Sequence, residues 1–287
     1  MTLFEVLAAA RQQLVAAGIP AGEAAIDVPL FACTILGWDR ARLIAEHARP
    51  APSALEPQFS QWIARRGLHE PTAYIVGHRE FWGLDFHVTP AVLIPRPETE
   101  LIVEEALAIA RTTAVDTPRI ADIGTGSGNL AVSLAHGIAG ARVTATDVSA
   151  AALAVARQNA KTHAVDMRIT FVETAYLEGI GDRFDLIVAN PPYVREGDKA
   201  ALSRGVLHEP AAALFSGPEG LGAIEGVLDA ATRSLKTGGW LVMEFGFGQE
   251  EDVRDRVVAR PPLRLDHVRA DLQGIPRTAI IQRWSRS

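Results

Sequence analysis

Ala121-Asp122-Ile123-Gly124-Thr125-Gly126-Ser127-Gly128 joins a short apolar run to a longer stretch in which apolar residues recur at helical spacing. It reads as strand, glycine loop, helix, the start of a unit in which strands and helices alternate. Working outward, strands are predicted over 119–123, 142–146, 168–172, 185–189, 240–245, 265–269 and 278–281. Helices are predicted after the glycine loop to about 139 and over 149–163. Such alternation implies an α/β fold, a mostly parallel sheet with helices on both faces. In such sheets ligands bind beyond the carboxyl ends of the strands, at the point where the strand order reverses.

Upstream the texture differs. Residues 1–73 read as short helices, carrying Phe4, Leu7, Leu14 and Val15, then Ile26, Leu30, Phe31 and Ile35, then Phe59, Trp62 and Ile63. Pro29 is expected to kink or break the second of these helices. Residues 74–96 form a connector containing a β-hairpin that turns near Gly83 and Asp85, with Phe81, Trp82 and Phe86 in its core. Residues 97–287 make the α/β domain, entered by a helix from Glu98.

The glycine loop allows a ligand to approach the backbone and offers amides at a helix N-terminus. A dinucleotide fingerprint needs a third glycine where Asn129 stands. G-x-G-x-G is common in S-adenosylmethionine binders, which have no pyrophosphate to cradle. Asp147, at the end of the next strand, has the chemistry to accept both hydrogen bonds of a ribose diol. These features alone leave a dehydrogenase open.

The run over 184–189 is a buried strand leading into Asn190-Pro191-Pro192-Tyr193. An amide nitrogen is a poor nucleophile because its lone pair is delocalised. The Asn190 side-chain oxygen and the Pro191 carbonyl can each accept one N–H of a target NH₂ and aim the nitrogen at a methyl donor. Pro191 and Pro192 preorganise these acceptors, and Tyr193 is expected to offer a ring face for stacking.

Over essentially its full length the chain resembles the HemK-like (PrmC) methyltransferases, which modify a glutamine in peptide chain release factors. The matching stretches are residues 70–77, Phe81-Trp82-Gly83-Leu84, Leu93-Ile94-Pro95-Arg96-Pro97-Glu98-Thr99-Glu100, the glycine loop, Asn190–Tyr193, His208-Glu209-Pro210 and residues 271–277. The motif at 190–193 is shared with nucleic-acid amino-methyltransferases; that at 93–100 is much more specific to this family. The resemblance implies a seven-stranded, Rossmann-like class I methyltransferase sheet with an antiparallel final hairpin, joined by a β-hairpin to a small helical N-terminal domain. It implies S-adenosylmethionine as cofactor, held by Asp122, Gly124, Thr125, Gly126, Ser127, Gly128, Asp147, Tyr176 and Asn190. It also implies class-1 release factors as protein partners, the glutamine of their Gly-Gly-Gln loop being held by Asn190, Pro191, Pro192 and Tyr193. The family's usual Asp-Trp pair after the third strand is replaced by Ala175 and Tyr176, with Glu173 as a substitute acceptor for the adenine amino group.

Arg96, Glu98 and Glu100 are candidates for the substrate entrance, or simply an acid-rich helix start. Glu209 is a candidate for closing over the site. The net charge is −6 and the only lysines are Lys161, Lys199 and Lys236, which argues against a phosphate-gripping surface and direct nucleic-acid binding. The eight histidines and the single Cys33 show no compact metal-ligand spacing. No apolar run is long enough to span a bilayer and no leader peptide is read, so a cytoplasmic, reducing setting is expected.

Overall fold

A computed structural model describes residues 1–113 and 115–284. The chain forms two compact units, Met1–Gly77 with Ser203–His208, and His78–Leu202 with Glu209–Ser287.

The first unit holds helices α1 (Leu3–Ala16), α2 (Ala21–Leu36), α3 (Arg40–Ala45), α4 (Gln58–Gly67) and α5 (Thr72–Val76). Thr2 and Glu5 close a capping box at the start of α1. The core is Leu3, Leu14, Val28, Phe31, Phe59 and Ile63. Phe4, Val15, Ile26 and Leu30, expected inside, are exposed. The buried stripe runs through Leu3, Ala10 and Leu14 in α1 and Ala24, Val28, Phe31 and Ala32 in α2, which leaves those four on the outer faces. Nor does Pro29 break α2, which runs unbroken across it. One lost backbone hydrogen bond is outweighed by burial of Val28, Phe31 and Ala32 around it. Asp27 anchors the unit, accepting from Arg66 Nε at 2.7 Å and Thr72 Oγ1 at 2.8 Å.

The second unit opens with hairpin β1 (His78–Phe81) and β2 (Leu84–His87). Trp82 (φ 54°) and Gly83 (φ 72°) make its two-residue turn, so Asp85 lies in β2, opposite Glu80, and not at the turn. Phe81 and Phe86 are buried as expected, whereas Trp82 is 37% exposed. A 3₁₀ turn over Pro97–Thr99 then leads into α6 (Glu100–Thr113). Glu100 accepts the Trp82 amide at 2.9 Å, so it serves the hairpin turn.

The sheet follows as β3 (Arg119–Ile123), α7 (Asn129–Gly137), β4 (Arg142–Asp147), α8 (Ala150–Thr162), β5 (Ile169–Glu173) and β6 (Phe184–Ala189). Then come α9 (Ala211–Leu214), α10 (Gly222–Ser234), β7 (Leu235–Glu244), α11 (Glu250–Val258), β8 (Leu263–Ala270) and β9 (Pro276–Arg283). The seven strands stand in the order β5-β4-β3-β6-β7-β9-β8. β9 pairs antiparallel with both its neighbours, β7 and β8, while β5, β4, β3, β6 and β7 pair in parallel. Side chains of β3 alternate between two cores, Ile120 among residues of α6, α7 and α8, Ala121 and Ile123 among residues of α10 and α11. The strand order reverses between β3 and β6, which directs a ligand to their carboxyl ends.

Candidate active site

A cavity of about 370 Å³ opens at those carboxyl ends. Its wall combines the glycine loop, Asp147 to Ser149 after β4, Thr174 to Tyr176 after β5, and Asn190 to Pro192 after β6. The segments 91–96 and 210–213 complete it. Among the described residues, Arg96 and Asp147 are the only charged ones on this wall.

The glycine loop is held from three sides. Asp147 accepts the Gly126 amide at 3.0 Å on Oδ2 and the Ser149 amide at 2.9 Å on Oδ1. Buried Asn159 donates to Ser127 O at 2.8 Å and exchanges two hydrogen bonds with the His87 backbone, tying the loop to the hairpin. Gly128 has φ +81°, and a Cβ there would sit 3.0 Å from Ala156 Cβ and 3.2 Å from its Cα. The final glycine is therefore a packing requirement of the loop against α8.

Asp122, expected among the cofactor contacts, is fully buried beneath the loop and off the cavity wall. Its Oδ2 accepts from Thr125 Oγ1 at 2.7 Å and the Ala131 amide at 3.0 Å, bracing the loop, while Oδ1 has no partner among the described residues. Burial lifts its pKa from 3.8 to about 7, opposed by those two hydrogen bonds and reinforced by Asp147. Gly128, packed on α8, is likewise off the cavity wall, whereas Gly124, Thr125, Gly126 and Ser127 line it.

Tyr176 lies on the wall in the left-handed region (φ 51°), its carbonyl accepting from Thr146 Oγ1 at 2.7 Å. Its ring packs on Gly226 of α10, where a Cβ would collide with it at 2.0 Å. Thr174 and Ala175 are also on the wall; Glu173 is exposed and off it.

Asn190 donates from Nδ2 to Thr99 Oγ1 at 2.9 Å, and Thr99 donates to Glu244 Oε2 at 2.7 Å. Tyr193 OH donates to Glu244 Oε1 at 3.2 Å. Asn190, Pro191 and Pro192 line the cavity, but Tyr193 does not. Its hydroxyl is held by Glu244 and its ring edge packs on Gly246. Burial and the neighbouring carboxylate push the Tyr193 phenol well above its ordinary range. Glu244, at the end of β7, is fully buried, which raises its pKa from 4.5 to about 7. Gln249 supports the same turn, donating to Tyr193 O at 3.2 Å and accepting the Gly246 amide at 2.8 Å.

Glu209 is also buried. It accepts the Ile94 amide at 3.0 Å and pairs with Arg96, joining the two wall segments. Arg96 lines the cavity; Glu98 and Glu100 do not. Thr99 lies within the 93–100 motif, which by itself assigns it no role, and Glu244, Gln249 and Asn159 carry no motif; the fold reveals the role of all four.

The crevice fits S-adenosylmethionine. Asp147 places one carboxylate on the wall for a ribose diol, the glycine loop leaves room for a close-lying ligand, and no cluster of cations answers a pyrophosphate. Among the described residues no group of His, Cys, Asp or Glu is arranged to hold a metal.

Comparison with known proteins agrees with the geometry. Residues 105–220 match the Methyltransferase small domain and residues 5–77 the PrmC N-terminal domain. A release factor glutamine methyltransferase of Bradyrhizobium diazoefficiens is 42% identical over 263 residues, 89% of this chain and 86% of its own length. One from Moorella thermoacetica is 40% identical over 285 residues, 99% of both chains. In fold the chain is similar to the hMettl16 catalytic domain solved with an RNA hairpin, with a TM-score of 0.58 and 17% identity over 78% of this chain and 82% of that one. With its identity to these relatives extending through both units, the chain belongs to the release factor glutamine methyltransferase family.

Proposed function

We propose that this methyltransferase transfers the methyl group of S-adenosylmethionine to the side-chain amide nitrogen of the glutamine in the Gly-Gly-Gln motif of class-1 release factors. One observation carries the reading. Asn190 is held by its nitrogen on Thr99, and its oxygen makes no bond to another described residue, at the wall of a cavity that also presents the glycine loop. That oxygen and the Pro191 carbonyl are two acceptors for the two hydrogens of a primary amide. S-adenosylmethionine, when bound, would supply an electrophilic methyl group on its sulfonium, whose S–C bond breaks to leave S-adenosylhomocysteine as product. Asn190 and Pro191 orient the amide nitrogen, and their hydrogen bonds raise its electron density as the N–C bond forms. One of the two nitrogen protons is then lost to water, since neither acceptor is basic enough to retain it.

Release factor identity is read by the helical unit on this account, and the cavity takes only the glutamine loop. A cytoplasmic setting belongs to this reading, since release factors act in translation. Among the described residues no helix is long and apolar enough to cross a membrane. Direct nucleic-acid binding is not part of the reaction. The deciding assay is methyl transfer from labelled cofactor to a class-1 release factor, to DNA and RNA, and to no acceptor. Label on the release factor alone, mapped to the glutamine, supports the proposal. Label on a nucleic-acid base, or on a release factor whose glutamine is replaced, overturns it.

A further inference from the structure

Asn190, Thr99, Glu244 and Tyr193 form one continuous hydrogen-bonded chain, drawn from three separate places in the fold: the turn after β6, the 3₁₀ turn before α6 and the end of β7. Its polarity is set at one end. An ionised carboxylate only accepts, so Thr99 must spend its single hydroxyl proton on Glu244. Thr99 Oγ1 then offers only lone pairs to Asn190, and the Asn190 amide is obliged to present its NH₂ inward. The amide oxygen is left for the cavity. A protonated Glu244 can instead donate to Thr99, whose proton is freed to point at Asn190. The amide can then turn over and present its NH₂ to the cavity, where a substrate amide needs an acceptor.

We infer that Thr99 and Glu244 are positioning residues which fix the orientation of the Asn190 amide, so that the protonation state of Glu244 sets whether the site can accept a substrate N–H. The inference rests on the proposed amide substrate, but the amide orientation itself exists without it.

The groups facing Glu244 support a titration in the working range. Tyr193 and Thr99 donate to it, Arg277 from β9 favours the ionised form, Glu98 disfavours it, and full burial dominates, giving a pKa of about 7. Arg277 is itself engaged by Asp271, Nε to Oδ2 at 3.2 Å, so its charge does not override the burial.

The test is side-chain amide NMR on ¹⁵N-labelled full-length protein, combined with kinetics. The Asn190 NH₂ pair is identified by its loss in Asn190→Ala. In the wild type this pair is expected to titrate with a midpoint near 7, and the titration should vanish in Glu244→Gln. Thr99→Val is expected to lower kcat by roughly 10–100-fold with the S-adenosylmethionine Kd changed less than about twofold. Thr99→Ser, which restores the hydroxyl, should recover most of kcat. Wild-type kcat should fall below about pH 7 with a limb that Glu244→Gln flattens. Persistence of the Asn190 titration in Glu244→Gln, or wild-type kcat in folded Thr99→Val, overturns the inference. Should Thr99→Val not fold, the Glu244→Gln titration decides alone. A wild-type enzyme inactive on release factors would sink the substrate proposal, while the NMR titration would still decide the relay.

Discussion

Glu209 and Ile94 are 115 residues apart in sequence, yet the buried Glu209 carboxylate accepts the Ile94 amide at 3.0 Å while also holding Arg96. That contact staples the segment before α6 to the segment before α9, and both border the cavity. Glu209→Ala leaves a buried amide and a guanidinium without their partner. Because Arg96 keeps a third of its side chain in solvent, the cost is set at about 2–4 kcal/mol of stability, near the lower range for breaking a buried pair. Urea unfolding measures it, and a loss under about 0.5 kcal/mol would show that the staple is idle.

Gly128 and Gly126 distinguish packing from ligand access. An added methyl at Gly128 meets Ala156, whereas at Gly126 nothing lies within 4 Å. Both have positive φ, so both alanine variants carry strain of about 1 kcal/mol or more. Gly128→Ala should therefore lower the melting temperature of the cofactor-free protein more than Gly126→Ala. Thermal melts of the two variants settle the order, and the reverse order contradicts the packing account.

Asp147 carries two tasks, since each of its oxygens already accepts one backbone amide of the adjoining loops. Asp147→Ala should weaken S-adenosylmethionine binding by roughly 10–100-fold, through lost ribose contacts and a loosened loop. Calorimetry reads this directly; an unchanged Kd removes Asp147 from the cofactor site.

Asp122 makes stability depend on pH. Its folded pKa is raised to about 7, so between 3.8 and about 7 the folded chain keeps a proton that the unfolded chain has released. Stability contributed at this position therefore falls as pH rises through that window. Asp122→Asn does not titrate, so its melting temperature relative to wild type should climb between about pH 5 and about pH 8. A difference that is flat or falls with pH contradicts the burial assignment.

The sheet was legible because its strands are runs of buried residues bounded by glycines, prolines and charges, such as Phe184–Ala189. The glycine loop and Asn190 were legible because their positions follow from a strand ending. Three kinds of feature were not. In α1 and α2 apolar residues occur on both sides, and alanine-mediated packing decided which side went inward. The tie of the Tyr193 hydroxyl to Glu244 is invisible locally, since its partner carboxylate lies 51 residues away. Thr99 and Glu244 stand 145 residues apart, one in an acid-rich helix start and one ending an apolar strand; the parallel pairing of β6 with β7 brings Glu244 beside Asn190, and the turn before α6 brings Thr99.

The most direct measurement of the central claim is turnover of Asn190→Ala on an intact class-1 release factor, with cofactor affinity measured alongside. Removing the amide oxygen should lower kcat by a factor on the order of 10²–10³ and leave the S-adenosylmethionine Kd nearly unchanged. Asn190→Asp keeps an acceptor but loses the donor to Thr99, and should fall between the two. Wild-type turnover in folded Asn190→Ala would show that residues 190–193 are only a turn, and the assignment of this site would fail.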